Sequence, residues 1–470
     1  MCAACSKDWR TKIARALVWI VAIVLASRFA AASDSAGPFG APEPDHPGWR
    51  ILKSRAFLPA DFDQATFDQL PWNWPEAERA AAEGLPLAER RRMIAEHYGL
   101  TLNPWASAGE FDLLGYVKTD SGWVMNCLAC HGGTLEGSPS PGLGNNRYAL
   151  QTLTEDVRRT KLLSLKRPSH LDMAILKLPL NTTNGTSNSV IFGVILGAKR
   201  LPDMSVDTSR PVPKLAHHDM DAPPWWHLAK KQRLYADGFS PKTHRAVMQF
   251  MLLPENDRET ILGWEEDFRQ ILKWMHTVQP PRYDGPVDQP LAQRGLAAFN
   301  DHCARCHGTY GDVNEETYPE KVVPLNEIGT DPVRFQALSA EHRQWMKDGW
   351  MSRFGEDHVE TKPAGYVAPP LDGVWASAPY FHNGSVPTLW HVLHPEERPR
   401  IWRRTSDSVD RERMGLTVET LEAIPEQMSS ADRRWYFDTS KPSKSAAGHL
   451  FVDDLNEDEK RAVLEYLKTL

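Results

Sequence analysis

Cysteine is scarce in this chain, with six in 470 residues. Cys2 and Cys5 precede an N-terminal apolar stretch and the other four fall in two short motifs, so no thiol is left for a disulfide framework or a free nucleophile. Long apolar runs are lacking as well. The N-terminal run, Ala16 to Ala26, is too short to span a bilayer and is followed closely by Arg28. Positive charge is not in excess: the formal net charge is -7, and near -11 once residues 1–32, which carry a net +4, are set aside. That sign argues against nucleic acid and against an anionic membrane surface as partners. No internal repeat is visible beyond the cysteine motifs themselves.

The N-terminus has the three parts of a secretory signal. Lys7, Arg10, Lys12 and Arg15 make a basic region, Ala16 to Ala26 an apolar one, and Ala30-Ala31-Ala32 a site of small residues for cleavage near Ser33. Residues 1–32 are expected to be a signal peptide and the destination periplasmic or secreted, with no stable membrane span.

Two copies of Cys-X-X-Cys-His, Cys127-Leu128-Ala129-Cys130-His131 and Cys303-Ala304-Arg305-Cys306-His307, carry the chemistry. Two thiols at this spacing can add to the two vinyl groups of one haem, and the next residue offers an imidazole to its iron. Zinc would ask for further Cys or His at paired spacing, which the chain lacks. Two covalently attached haems c are expected, on Cys127, Cys130, Cys303 and Cys306, with His131 and His307 as iron ligands. A periplasmic destination agrees, because haem is attached to such motifs outside the bacterial cytoplasm.

Residues 33–120 are rich in Pro, Asp and Trp and read mostly as an irregular lead-in, with a helix signal from Leu85-Pro86 to Gly99. Further helices are expected from Thr154 to Leu165 and after Ser240-Pro241, the latter carrying Val247, Met248 and Met251. Ile261, Trp264, Phe268, Ile271 and Met275 place one apolar face on a helix that Pro280-Pro281 ends. The segment Gln279 to Pro286 is the best linker. It separates an N-terminal cytochrome c-like haem domain, 121–282, from a C-terminal cytochrome c domain, 283–470. Leu291 to Phe299 delivers the second motif, and Asn456 caps a last helix through Val463, Leu464, Leu467 and Leu470. The fold class is mainly α, two cytochrome c-like haem domains with long loop-rich insertions.

The run Tyr366-Val-Ala-Pro-Pro-Leu371 through Ala378-Pro379-Tyr-Phe-His382-Asn-Gly384 to Leu389 resembles the signature of bacterial di-haem cytochrome c peroxidases and their MauG-like relatives. The likeness is closest to the rubber-oxygenase-like branch. Asp221-Ala-Pro-Pro-Trp-Trp226, Leu234-Tyr-Ala-Asp-Gly238 and Gly448-His-Leu-Phe451 extend it over residues 120–470. The resemblance implies two helical haem domains. The N-terminal haem would act on peroxide or dioxygen and the C-terminal haem would relay electrons from a small donor such as a cytochrome c or a cupredoxin. In some relatives calcium binds at the interface, but no ligands for it stand out here.

Departures from the family pattern separate the two haems. The Trp that bridges the haems in di-haem peroxidases is replaced by Ala236, leaving Tyr235, Trp225 or Trp226 as substitutes or as haem-packing core. The Met or Tyr of the relay haem is missing near Glu396, and Met414 and Met428 lie farther along. His449, in the Gly-His before the last helix, is the better sixth ligand for the C-terminal haem. His382 would then sit beside that haem or at the interface. No distal ligand stands out for the N-terminal haem among His170, His217, His218, His227 and His244, so an open position is expected. Phe250 would form its apolar wall where peroxidases favour a proton-moving Glu. Catalytic roles fall on Phe250 and His382. Three functions compete: peroxide reduction or oxygen activation by a haem oxidoreductase, electron transfer without catalysis, and rubber-oxygenase-like dioxygenation.

Overall fold

A computed structural model describes residues 45–214, 217–311 and 316–470. The expected signal segment, with Cys2 and Cys5, lies outside the described residues. The chain is mainly helical. Its sheets are small, five of two strands and one of three among the described residues. No helix described is long and apolar enough to cross a membrane.

Much of the segment expected to be irregular is helical. Besides the anticipated helix, Leu87–His97, it holds Pro47–Ser54, Gln64–Gln69 and Glu76–Glu83. These start on local caps rather than on a sustained apolar period: the Asp63 carboxylate accepts from Thr66 N, and Pro75 precedes the third. The first of them is core. Trp49 packs on Trp274 at 5.1 Å, and a Cβ on Gly48 would lie 2.1 Å from the Gln270 carbonyl oxygen.

Other boundaries moved for identifiable reasons. Helix Leu150–Leu163 begins four residues before Thr154, whose hydroxyl bonds back to the Leu150 carbonyl. Ser240-Pro241 starts no helix; it pairs as a strand with Arg233–Leu234, and helix His244–Met248 is capped by Thr243 instead. The apolar face from Ile261 to Met275 is divided between Arg258–Gly263 and Glu265–Met275, with Trp264 at the joint.

Helices Gln289–His302 and Glu457–Leu467 cross as expected of a cytochrome c. Asp288 caps the first, and Asn456 with Glu459 forms a capping box on the second. At the crossing, a Cβ on Gly295 would lie 1.9 Å from the Ala462 carbonyl oxygen. Gly295→Ala is therefore expected to cost about 1–3 kcal/mol, towards the upper end because backbone must give way. Chemical denaturation of the haem-loaded protein reads this, and an unchanged midpoint would contradict the close crossing.

Between these helices lies a three-stranded antiparallel sheet, with Ile401–Asp410 between Gly415–Leu421 and Tyr436–Asp438. Ion pairs fasten this part of the chain to the N-terminal half. Arg434 grips the Glu155 carboxylate with two bonds of 2.8 Å, Arg147 meets Asp407 at 2.5 Å, and Lys444 meets Asp219 at 2.7 Å. The expected loop-rich insertion is thus partly a sheet, and it clamps residues from both sides of the 282/283 boundary.

Candidate functional site

Each Cys-X-X-Cys-His motif folds as a single helical turn, Leu128–His131 and Ala304–His307. In a turn, cysteines three apart share a face, and the histidine amide closes on the first cysteine carbonyl, at 3.0 Å in both motifs. All four thiols are unpaired. Burial pushes Cys127 up to about 11 and Cys130 and Cys303 to about 12, so these are neutral thiols in apolar surroundings.

Both motifs open onto one cavity of about 1870 Å³, lined by all four cysteines, His131, His307 and His449. A pocket for one drug-sized ligand holds roughly 300–1,000 Å³. The larger volume, with neutral thiols and imidazoles on its wall, suits two large flat groups attached from two places.

The imidazoles are fixed in the same way. His131 Nδ1 donates to the Pro223 carbonyl at 3.1 Å and His307 Nδ1 to the Pro369 carbonyl at 2.8 Å, leaving each Nε2 lone pair for a metal. Both acceptors are the first proline of an Ala-Pro-Pro, residues 222–224 and 368–370. The segments that follow are tied together, since Trp226 Nε1 and His227 Nε2 both donate to the Asp372 carbonyl, at 2.7 and 3.1 Å. Burial holds His131 at about 4 and lowers His307, so both rings are neutral and able to ligate.

Beyond this shared frame the two motifs differ. The His449 ring centroid is 6.2 Å from that of His307. With metal–nitrogen bonds of roughly 2.0–2.1 Å on each side and half a ring beyond each, two imidazoles sharing one iron come about 6 Å apart. His449 is held in a left-handed turn, φ 55°, by its amide bond to the Ile328 carbonyl at 2.7 Å. Arg398 Nη1 pins the same turn through the Ala446 and Gly448 carbonyls, each at 2.7 Å. Burial first, then the neighbouring His307 and Arg398, press His449 down to about 3.

His131 meets Trp225, which stacks at 5.0 Å with the rings 27° apart. Trp225 is therefore packing for this imidazole. Of the five histidines considered as its distal ligand, only His170 and His227 line the cavity, and His227 spends Nε2 on Asp372. Met414 and Met428 do not line it. Phe250 does, held against helix Ser189–Ala198 where a Cβ on Gly193 would come within 2.9 Å of its ring. Gln249 beside it donates to the Tyr235 hydroxyl, which in turn donates to the Ala246 carbonyl at 3.0 Å. Tyr235 lines the cavity next to Ala236. His382 lines it too, tilted on the Tyr366 ring at 4.4 Å, and burial holds it at about 3.

One further carboxyl on the cavity wall, that of Asp221, was given no role from the sequence. It stands on the cavity wall two residues before Pro223, its amide donating to the His382 carbonyl at 3.0 Å, and burial raises its pKa far above the usual carboxylate range. No spacing rule marks such a residue. The matching Ala-Pro-Pro triplets were the available sequence signal. Among the described residues no group of three or more His, Cys, Asp or Glu is placed to hold a metal ion; a haem iron asks at most two ligands of the protein.

A family model described as RoxA-like, cytochrome c-like, matches residues 365–403, the stretch that contains Pro369, His382 and Arg398. The uncharacterized protein y4iJ of Sinorhizobium fredii (strain NBRC 101917 / NGR234) is 30% identical, over 41% of this chain and 41% of the relative. The uncharacterized protein y4iM of the same organism is 29% identical, over 42% of this chain and 53% of the relative. The match spans about half or less of the length of these curated relatives. The matched stretch, residues 365–403, relates this part of the chain to RoxA-like, cytochrome c-like domains and supports a haem c-type cytochrome.

Proposed function

We propose that the protein is a periplasmic di-haem oxidoreductase of the cytochrome c peroxidase type. Its N-terminal site, Cys127, Cys130 and His131, is open to peroxide or dioxygen. Its C-terminal site, Cys303, Cys306 and His307, is closed by His449 and relays electrons from a small donor such as a cytochrome c or cupredoxin. One observation carries the reading: of two imidazoles fixed alike, only His307 has, among the described residues, a second imidazole across from it, at 6.2 Å. Haem supplies an iron that exchanges single electrons and binds oxygen species where an axial position is open.

The protein's own groups do the rest. His131 and His307 keep their protons on Nδ1, each shared with a proline carbonyl, and offer Nε2. Phe250 presents an apolar edge that excludes water. Asp221 holds a proton on its carboxyl in the joint cavity and is the group able to hand it on. Val190, Phe192 and Ile195 of helix Ser189–Ala198 extend the apolar wall. That wall favours a second reading, dioxygenation of an apolar organic molecule in the manner of the rubber-oxygenase-like branch. Ala236 in the place of the bridging Trp favours a third, electron transfer alone.

Spectroscopy of the purified protein separates these. The ferric protein should show one high-spin or exchangeable haem whose Soret band responds to peroxide, or after reduction to dioxygen. Two low-spin haems inert to both would eliminate the enzymatic readings. Asp221→Asn should slow the peroxide response by about 10²–10⁴-fold with both haems still attached, as expected for loss of a positioned proton donor. A rate equal to wild type would remove Asp221 from the mechanism.

A further inference from the structure

Arg334 is 3% exposed, and Nε, Nη1 and Nη2 of its guanidinium are all buried without a hydrogen-bond partner in the protein. Its closest anion is Asp237, at 3.7 Å, and that carboxylate is already engaged by Arg343 at 2.7 Å. Asp331, nearby, spends its oxygens on the amides of Val333 and Ser445, at 2.9 and 3.2 Å. Two buried guanidinium cations thus share one carboxylate, and the donors of Arg334 are left without an acceptor. A buried charge with unmet donors is costly unless an anion with acceptor oxygens meets it.

The surroundings point to where that anion comes from. The backbone around Arg334 is fastened to Tyr366, which stands on the cavity wall with His382: the Tyr366 hydroxyl accepts from the Phe335 amide at 3.1 Å and donates to the Asp331 carbonyl at 2.8 Å. Its helix, Val333–Ala337, starts five residues after Ile328, whose carbonyl takes the His449 amide. Tyr366 stands three residues before Pro369, the anchor of His307. Thr330, also on the cavity wall, has a buried hydroxyl with no partner. The unsatisfied donors therefore belong to the segments that frame the C-terminal motif.

We propose that Arg334, with Thr330, is a carboxylate-binding site that takes a propionate of the haem attached at Cys303 and Cys306. The proposal rests on the di-haem reading above. Arg334 is a positioning residue: its fork matches a carboxylate, and its charge keeps that propionate ionised beside the iron.

The test begins by counting haems as the pyridine haemochrome. Fewer than two per chain defeats the di-haem reading itself, independently of Arg334. With two attached, the midpoint potential of the low-spin haem is followed from pH 5 to 8 in wild type and Arg334→Gln. Wild type should be nearly flat. The variant should have a lower potential that falls further as pH rises, because loss of the cation favours ferric iron and raises the propionate pKa into the range measured. An unchanged potential and slope, even with lowered thermal stability, would leave Arg334 as a structural residue and overturn the proposal. Should Arg334→Gln fail to fold, resonance Raman of Arg334→Lys, which keeps the charge and loses the fork, must show a shifted propionate-bending band; an unshifted band overturns it equally. Adding acetate to wild type distinguishes the other source of a carboxylate. A shifted potential would mean a free small anion and refute the propionate assignment, whereas no shift supports it.

Discussion

Replacing His449 with alanine is expected to convert one haem of the proposed pair from low spin to high spin while both stay covalently attached. The substitution removes one imidazole, and the frame around it should remain. Arg398 holds the turn through backbone carbonyls, and the Ile328 carbonyl takes the residue-449 amide, so neither contact needs the side chain. His307 keeps its bond to Pro369. The His449 ring differs from the other two in one respect: its Nδ1 is buried without a partner, so position alone orients it and no acceptor increases its basicity. His449→Met should return the haem to low spin at a higher potential, since thioether ligation favours ferrous iron. An unchanged optical and EPR spectrum in His449→Ala would reject the residue as ligand without touching the haem attachment sites.

Asp237→Ala should be the most destabilising single substitution in the part of the fold that joins the two motifs. Asp237 belongs to the Leu234-to-Gly238 turn and is held by Arg343 at 2.7 Å and Arg334 at 3.7 Å, from two consecutive helices of the other half of the sequence. Removing it leaves the buried guanidinium of Arg343 without its carboxylate and takes from Arg334 its nearest anion in the protein. Breaking a buried pair in this way costs about 3–5 kcal/mol. Urea denaturation of the haem-loaded protein, followed in the Soret band and in far-UV circular dichroism, reads the loss. A change below about 1 kcal/mol would show that the cluster is not a structural tie. Asp237→Asn, which keeps an acceptor and loses the charge, should fall between the two.

What could be read from the sequence was what five or so neighbouring residues determine by themselves. A Cys-X-X-Cys-His motif is confined to one turn of chain, so the turns Leu128–His131 and Ala304–His307 that present its side chains could be anticipated without a fold. The caps at Asp288 and Asn456 are local hydrogen-bonding signals of the same kind. Ser240-Pro241 has the local signal of a helix start, but pairing with Arg233–Leu234 overrides it, and that pairing is tertiary. The helices between residues 47 and 83 were hidden because each is short, and their apolar residues find partners such as Trp274 more than two hundred positions away. Asp221 and Arg334 matter through burial, which no single residue displays. The recurrence of Ala-Pro-Pro is plain in the sequence. Three common residues gain weight only when two carbonyls are seen to take the same imidazole atom.

That shared acceptor has a consequence for electron traffic. Pro223 and Pro369 are each followed by another proline, so the carbonyl that holds each imidazole sits in a stretch whose backbone has little freedom to rotate. Trp226 and His227 then tether the first stretch to Asp372 beside the second. An imidazole anchored to so stiff a post moves little when the charge on its metal changes. In the proposed di-haem protein, that stiffness would keep the proximal imidazole's own contribution to the reorganisation energy small at either site. The proposed electron flow would then be directed by what differs between the two sites, His449 facing His307 at one and the apolar wall of Phe250 at the other.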